Sequence, residues 1–331
     1  MASITTITTT NFFESVPRPT KTYHSTSYDR ISTRHGFNGT GKTVLITGGS
    51  SGIGLNIAKA FAGAGVARIA ILSRSRATQL TAKAELQGAY PSTSILFFEA
   101  SVSDTDRFAS VLEELAGVHV LVLCAAAIHA RVPLAELSGN DVQHVFDTNS
   151  VSTVNLARLY VASPGRDKTI LHVSSAAAQM RAPLRSVYGA SKAAAVQAMQ
   201  HLAREQEGTG HGHGHGHDGH GHGHDGHGHD GHGHDGHGHD GHGHDDGNRV
   251  RVFSFHPGAI PTPGSAAVYA PGAVQWEDAD LPAHFSLWLA GPESDFLNGR
   301  YVWANWDVDE LVALKERLAR DDRFLTIGLV L

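Results

Sequence analysis

The feature that most narrows the folds open to this chain is an alternation. Six short apolar runs recur along it: "KTVLITG" from Lys42, "ARIAILSR" from Ala67, "SILFFEASV" from Ser94, "VHVLVLCAAA" from Val118, "KTILHVSS" from Lys168 and "RVRVFSFHPG" from Arg249. Between them lie stretches with helical periodicity, expected as helices near 52–63, 78–89, 104–115, 138–163 and 187–206. A run that is apolar at every position must be covered on both faces, and helices between successive strands supply that cover. The pattern therefore specifies an α/β fold with a doubly wound parallel sheet. One domain is expected over 41–331, preceded by an arm, 1–40, rich in Thr, Ser and Pro.

One stretch breaks the alternation. "HGHGHGHDGHGHGHDGHGHDGHGHDGHGHDGHGHDD", His211 to Asp246, holds fifteen of the chain's 24 histidines. It falls between "SVYGASKAAAVQAMQHLAREQ" and "NRVRVFSFHPG", a helix and a strand that such a fold joins by about 2–6 residues. Closure entropy grows only logarithmically, so the extra length costs on the order of a few kcal/mol. Gly, His and Asp offer nothing to bury, and residues 208–247 are expected to be a disordered insertion in a complete fold. The tract also distorts the charge. Its seven aspartates outweigh the formal net charge of -6, leaving the rest of the chain close to neutral. A near-neutral body without a basic stripe argues against nucleic acid as a partner.

No run approaches the roughly 18 apolar residues of a membrane span. The opening "MASITTITTTNFFESVPRPTK" lacks the basic and apolar regions of a signal peptide, so the cytoplasm is the expected location and no membrane is expected as a partner. The single cysteine, Cys124, can form no internal disulfide and reads as a packed strand residue without a nearby charge.

"TGGSSGIG", Thr47 to Gly54, follows the first strand and opens the first helix. Glycines at 48, 52 and 54 permit a tight turn, close approach of backbone to a pyrophosphate, and tight helix–strand packing, and the helix N-terminus offers free N–H groups. In that context a Rossmann-type dinucleotide site is expected, with Gly48, Ser50, Ser51, Gly52, Ile53 and Gly54 around the phosphates. At the end of the second strand an acid would select for NAD(H). Here Ser73 takes its place, with Arg74 and Arg76 beside it. A guanidinium can bind a 2′-phosphate by charge-assisted hydrogen bonds, which favours NADP(H) over NAD(H).

"YGASK" puts Tyr188 and Lys192 four residues apart on one helix face. A free tyrosine titrates near 10, and a nearby ammonium pulls it toward neutrality. "HVSS" ends the fifth strand with Ser175, at the sheet edge where ligands bind, and "DTNS" places Asn149 inside a helix. Together these segments resemble the short-chain dehydrogenase/reductase family, in particular filamentous-fungal members, over about residues 41–310 outside the histidine tract. The resemblance implies Tyr188 as general acid/base and Lys192 on the nicotinamide ribose, lowering the tyrosine pKa. It implies Ser175 on the substrate oxygen, Asn149 anchoring a proton-relay water, and Pro257, Gly258, Ile260 and Thr262 of "PGAIPT" flanking the carboxamide. Two departures stand out. "CAAA", Cys124 to Ala127, replaces the family's "NNAG", removing a side chain that ties the sheet together, and Ser101 replaces an aspartate near the adenine.

An NADP(H)-dependent oxidoreductase interconverting a carbonyl and an alcohol on a small organic substrate is the expected activity. By analogy with the fungal members, the substrate would be a secondary metabolite. The loop 264–278, with Tyr269 and Trp276, is expected to meet substrate, and Met180 and Leu184 suggest a mostly apolar pocket. Trp288, Trp303 and Trp306 read as core or subunit-interface packing; a homo-oligomer is left open. No fixed metal site is expected. The tract should bind divalent ions weakly and at several places, because a glycine repeat holds no ligand in position. The other reading is a His-rich metal-binding or buffering protein on a catalytically idle scaffold, against which the complete Ser-Tyr-Lys set stands.

Overall fold

Successive strand residues enter two different hydrophobic clusters. The computed structural model describes residues 16–208, 249–267, 269–270 and 272–328. In β1 (Thr43–Thr47), Val44 and Ile46 join one cluster and Leu45 joins the other. The same alternation holds in β2 (Arg68–Ser73), where Ile69 and Ile71 face away from Ala70 and Leu72. Side chains point to opposite faces with period two, so an all-apolar strand feeds two cores at once. One core is covered by α1 (Gly52–Gly63), α2 (Arg76–Ala89) and, from the far end of the chain, the helix at 280–290. The other lies under α3 (Thr105–Leu115) and the helices at 152–162 and 186–208.

β3 (Ser94–Glu99), β4 (Val120–Leu123), β5 (Lys168–Val173), β6 (Val250–His256) and β7 (Tyr301–Trp303) complete a sheet of order β3-β2-β1-β4-β5-β6-β7. Every neighbouring pair is parallel. The expected Rossmann-type doubly wound sheet is thus observed, with one strand more than the six apolar runs. β7 is only three residues long, too short for a period to show in the sequence, and it pairs with Ser254, Phe255 and His256 at the sheet edge.

The single helix expected over 138–163 is three pieces: α4 (Gly139–Phe146), a π-helical turn at Asp147–Val151, and α5 (Ser152–Ala162). Then come α6 (Ser186–Gly208), α7 (Pro263–Ala266) and α8 (Asp280–Ala290). Trp288, Trp303 and Trp306 are all buried in the core; the last two stack at 5.7 Å.

The described part of the arm, from residue 16, lies along the tail of the chain. Tyr23 bridges Trp306, Ile31 is buried, and His24 Nε2 lies 2.9 Å from Asp307. The first fifteen residues of the arm, and the histidine tract with the insertion and metal binding expected of it, lie outside the described residues. Among the described residues no group of three or more His, Cys, Asp or Glu could hold a metal ion, and no helix is long and apolar enough to cross a membrane.

Candidate active site

The chain winds from β1 outward to β3, then returns to place β4 on the other side of β1. That reversal opens a crevice at the carboxyl ends of β1 and β4. A cavity of about 1790 Å³ occupies it.

At one end the wall is backbone. Gly48 and Gly52 take left-handed φ of +70° and +53° to turn the chain from β1 into α1. A Cβ on Gly54 would sit 2.5 Å from the Gly48 carbonyl oxygen, so only glycine lets the helix approach the turn this closely. The first turn of α1 has no side-chain cap and no acidic residue. Its N–H groups and dipole are therefore left to a ligand phosphate. Ser50, Ser51, Ile53 and Ser73 line the cavity with these glycines. Arg74 lines it too, exposed and without an ion pair among the described residues, whereas Arg76 starts α2 and is not part of the wall. Gln79 Nε2 holds the strand end, donating to the Ser73 hydroxyl at 3.0 Å and to the Phe98 carbonyl at 3.0 Å. The glycine cradle and the unpaired guanidinium fit a phosphorylated dinucleotide.

The tie lost with "CAAA" is replaced from β1. Thr47 Oγ1 accepts from the Cys124 and Ala125 amides at 3.0 and 3.3 Å and donates to the Val122 carbonyl at 3.3 Å. At the adenine departure, the Ser101 and Ser103 hydroxyls bond one another at 2.8 Å.

At the middle of the cavity three side chains converge. Ser175 follows β5; its hydroxyl accepts from the Ala177 amide at 3.3 Å and pulls the pKa of the Tyr188 phenol down. Lys192, one turn along α6 from Tyr188, is buried, and its ammonium donates to the Val173 carbonyl at 2.9 Å. Burial pushes Lys192 down to about 8. Burial also raises Tyr188, against a downward pull from Ser175 and Arg185. The Lys192 ammonium is turned toward Val173, and Arg185 is a cation that pulls the phenol down.

Cys124 is half-buried on the same wall. Burial pushes its thiol up to about 11 while Lys192 pulls it down, so the expectation of no nearby charge is corrected.

Asn149, like Arg76, does not line the cavity. Fully buried in the π-helical turn, it exchanges two hydrogen bonds with the Ala127 backbone, at 2.8 and 2.9 Å, and donates to the Ser191 hydroxyl at 3.0 Å. It clamps the segment after β4 to α6 and so fixes the helix that carries Tyr188. The extra residue of a π turn re-aims a side chain without ending the helix.

Two supports carry no sequence signal. Tyr301 of β7 donates to the Ser175 carbonyl at 2.7 Å, and His256 Nδ1 accepts from the Ala176 amide at 3.1 Å. Burial lowers His256 to about 3, which keeps it neutral and able to accept.

Pro257, Gly258, Ile260 and Thr262 line the cavity beside Lys192. Glu277 braces that segment, accepting from the Ala259 amide at 2.7 Å and from the Tyr23 phenol of the arm at 2.6 Å. At the far end stand Met180, Ile128, Tyr269 and Trp276, the last two edge to face at 6.0 Å. Leu184 is not among the lining residues and is 39% exposed. Three arginines, 131, 181 and 185, share this end. The lining is mostly apolar and in part aromatic, as expected; the three arginines are the addition, brought in from two separate segments.

A family model described as short chain dehydrogenase matches residues 42–210. A short chain dehydrogenase/reductase of Claviceps purpurea is 80% identical over 331 residues, 100% of both chains. The short chain dehydrogenase/reductase AacuD of Aspergillus aculeatus is 50% identical over 319 residues, covering 96% of this chain and 99% of its own. Among solved structures, a short chain dehydrogenase from Burkholderia cenocepacia in complex with NADP superposes with a TM-score of 0.63 at 22% identity, covering 80% of this chain and 97% of that one. At that identity the likeness is one of fold.

Proposed function

The chain belongs to the short-chain dehydrogenase/reductase family of oxidoreductases, and from that premise we propose that it is an NADP(H)-dependent enzyme interconverting a carbonyl and an alcohol on a small organic metabolite. The observation that carries this reading is the convergence of Ser175, Tyr188 and Lys192 midway along a cavity whose one end is a glycine cradle and whose other end is aromatic. Gly48, Ser50, Ser51, Gly52, Ile53 and Gly54 would hold the pyrophosphate, Ser73 and Arg74 the 2′-phosphorylated ribose, and Pro257, Gly258, Ile260 and Thr262 the carboxamide. When bound, the cofactor supplies the hydride for reduction or accepts it in oxidation.

The remaining steps belong to the chain. The Ser175 hydroxyl orients the substrate oxygen toward the Tyr188 phenol, and the phenol gives that oxygen its proton as the carbonyl is reduced. In the reverse direction the phenolate takes the proton from the alcohol. Burial raises Tyr188 against the pull of Arg185 in the free protein, and in the working complex the ammonium of Lys192, one turn along the helix, would bring the phenol toward the range this exchange needs.

Tyr188→Phe removes the proton and almost no volume. It should lower kcat roughly 10²- to 10⁴-fold while NADPH, followed by its fluorescence, binds as in the wild type. A panel of ketones and alcohols supplies the turnover assay. A variant retaining more than about a tenth of the wild-type kcat removes Tyr188 from the reaction.

A further inference from the structure

Arg185 is the least expected side chain in the cavity. It is only 6% exposed, yet no ion pair engages it among the described residues. Its Nη1 donates to the His129 carbonyl at 3.0 Å, and its guanidinium lies 5.2 Å from the centre of the Tyr269 ring. No other hydrogen bond to the guanidinium is present among the described residues, and the group borders the cavity beside Tyr188. Buried cations are ordinarily paired, because an uncompensated charge away from water is costly.

The backbone is arranged to put this residue there. Leu184, immediately before it, adopts φ +61°, a left-handed conformation unusual outside glycine. Arg185 itself occupies the position preceding α6. Ser, Thr, Asp or Asn there would cap the helix, whereas an arginine offers no acceptor and sets a cation at the positive end of the dipole. Both features work against stability, and among the described residues only the His129 carbonyl and the Tyr269 ring offset them, with no carboxylate to pair the charge.

The neighbours carry the same sign. Arg131 lies 4.8 Å from the centre of the Tyr269 ring, so this aromatic ring is flanked by two guanidinium groups. Arg181 stands on the same wall and has no ion pair among the described residues. The one carboxylate of the lining among the described residues, Asp147, accepts from the Gln143 amide of α4 at 2.7 Å.

We propose that Arg185, with Arg131 nearer the mouth, forms a subsite for a delocalised oxyanion on the substrate, a carboxylate or an ionised acidic hydroxyl. A guanidinium fork matches such a group in two parallel hydrogen bonds, and the Tyr269 ring offers a flat surface for the attached carbon skeleton. The oxyanion supplies the counter-ion that Arg185 lacks among the described residues, and the pairing fixes the register of the substrate carbonyl at Tyr188. This subsite deepens the oxidoreductase reading and rests on it for the identity of the ligand as substrate.

The test uses binding, so that it does not depend on turnover. Benzoate and the neutral benzamide are titrated into the NADPH-treated full-length protein by calorimetry, with acidic and O-methylated nitrophenol as a second pair. Benzoate should bind at least about ten-fold more tightly than benzamide, and the nitrophenolate pair distinguishes a phenolate from a carboxylate preference. Selectivity for either anion supports the subsite, and selectivity for neither overturns it. Arg185→Met should abolish the preference, Arg185→Lys should restore part of it, and NADPH affinity should stay within about two-fold. Should Arg185→Met fail to fold, the exposed Arg131→Gln serves instead and should lower anion affinity roughly two- to five-fold. An intact preference in Arg185→Met, or in Arg131→Gln where that variant stands in, overturns the proposal. So does a weakening of NADPH in place of the anion. Anion selectivity in a protein that turns over no carbonyl or alcohol supports the subsite and removes only the reading of the reaction.

Discussion

The two ends of the cavity are built from different materials. The end at α1 is a surface of backbone: left-handed glycines, uncapped N–H groups and a helix that touches the turn before it. The end at Tyr269 is a surface of long side chains, with Arg131, Met180, Arg185 and Trp276 coming from different segments. Backbone surfaces suit a ligand part that never varies, since their donors cannot rotate or be exchanged. Side-chain surfaces can be altered one residue at a time while the sheet stays as it is. Lys192 stands where the two meet, buried beneath both.

That meeting point offers the largest effect by which to test the comparison. Lys192 loses water on folding, and its folded value of about 8 lies below the usual 10.5. Between those pH values the unfolded chain holds a proton that the folded chain releases, so stability rises with pH across the window. The contribution is complete above about 10.5 and is lost as the pH falls through about 8. In Lys192→Met it is absent. The stability of the cofactor-free wild type relative to Lys192→Met should therefore grow by roughly 3 kcal/mol from pH 7 to 10.5, read from urea titrations across that range. A difference that stays flat with pH means that Lys192 is as well solvated as a surface lysine.

A smaller effect sharpens the contrast of materials. Gly54→Ala adds one methyl group 2.5 Å from the Gly48 oxygen. Overpacking of this kind costs about 1–3 kcal/mol, so NADPH should bind roughly ten- to a hundred-fold more weakly as the turn is pushed open. Benzoate binding at the other end should change little. Unaltered NADPH affinity in this variant breaks the idea that the cradle works by close approach.

Smallest is the removal of a whole side chain at the cofactor end. Arg74→Ala should narrow the preference for NADPH over NADH by about ten-fold, through NADPH alone. Equal dissociation constants for the two cofactors in the wild type count decisively against a 2′-phosphate site. A loss larger than that of Gly54→Ala reverses the comparison, making the cofactor end as dependent on side chains as the other.

Legibility in the sequence follows the same division. "TGGSSGIG" and "YGASK" are readable because each does its work within one local element: a turn entering a helix, and one helix face. The all-apolar strands are readable for the same reason, since burial on both faces leaves a continuous local run. The π turn around Asn149 is not, because no local residue pattern separates a π turn from an α turn, and Asn149 is held there by residues distant in the chain, Ala127 and Ser191. Arg185 sits three residues before Tyr188 in plain view, but an arginine before a helix reads as solvated surface until its environment is known.

By itself, then, the amino-acid order determined the layered parallel sheet, the carboxyl edge of its strands as the place for a ligand, and the turn and helix face that serve there. These depend on periodicity and backbone conformation, which near neighbours in the chain dictate. Tertiary structure alone decided that Thr47 takes over the tie missing from "CAAA", that Tyr301 and His256 brace the Ser175 segment, and that Arg131 and Arg185 flank Tyr269. Each of these joins residues far apart in the chain. Desolvation and pairing of charge, which decide what such groups can do, exist only once the sheet has brought them together.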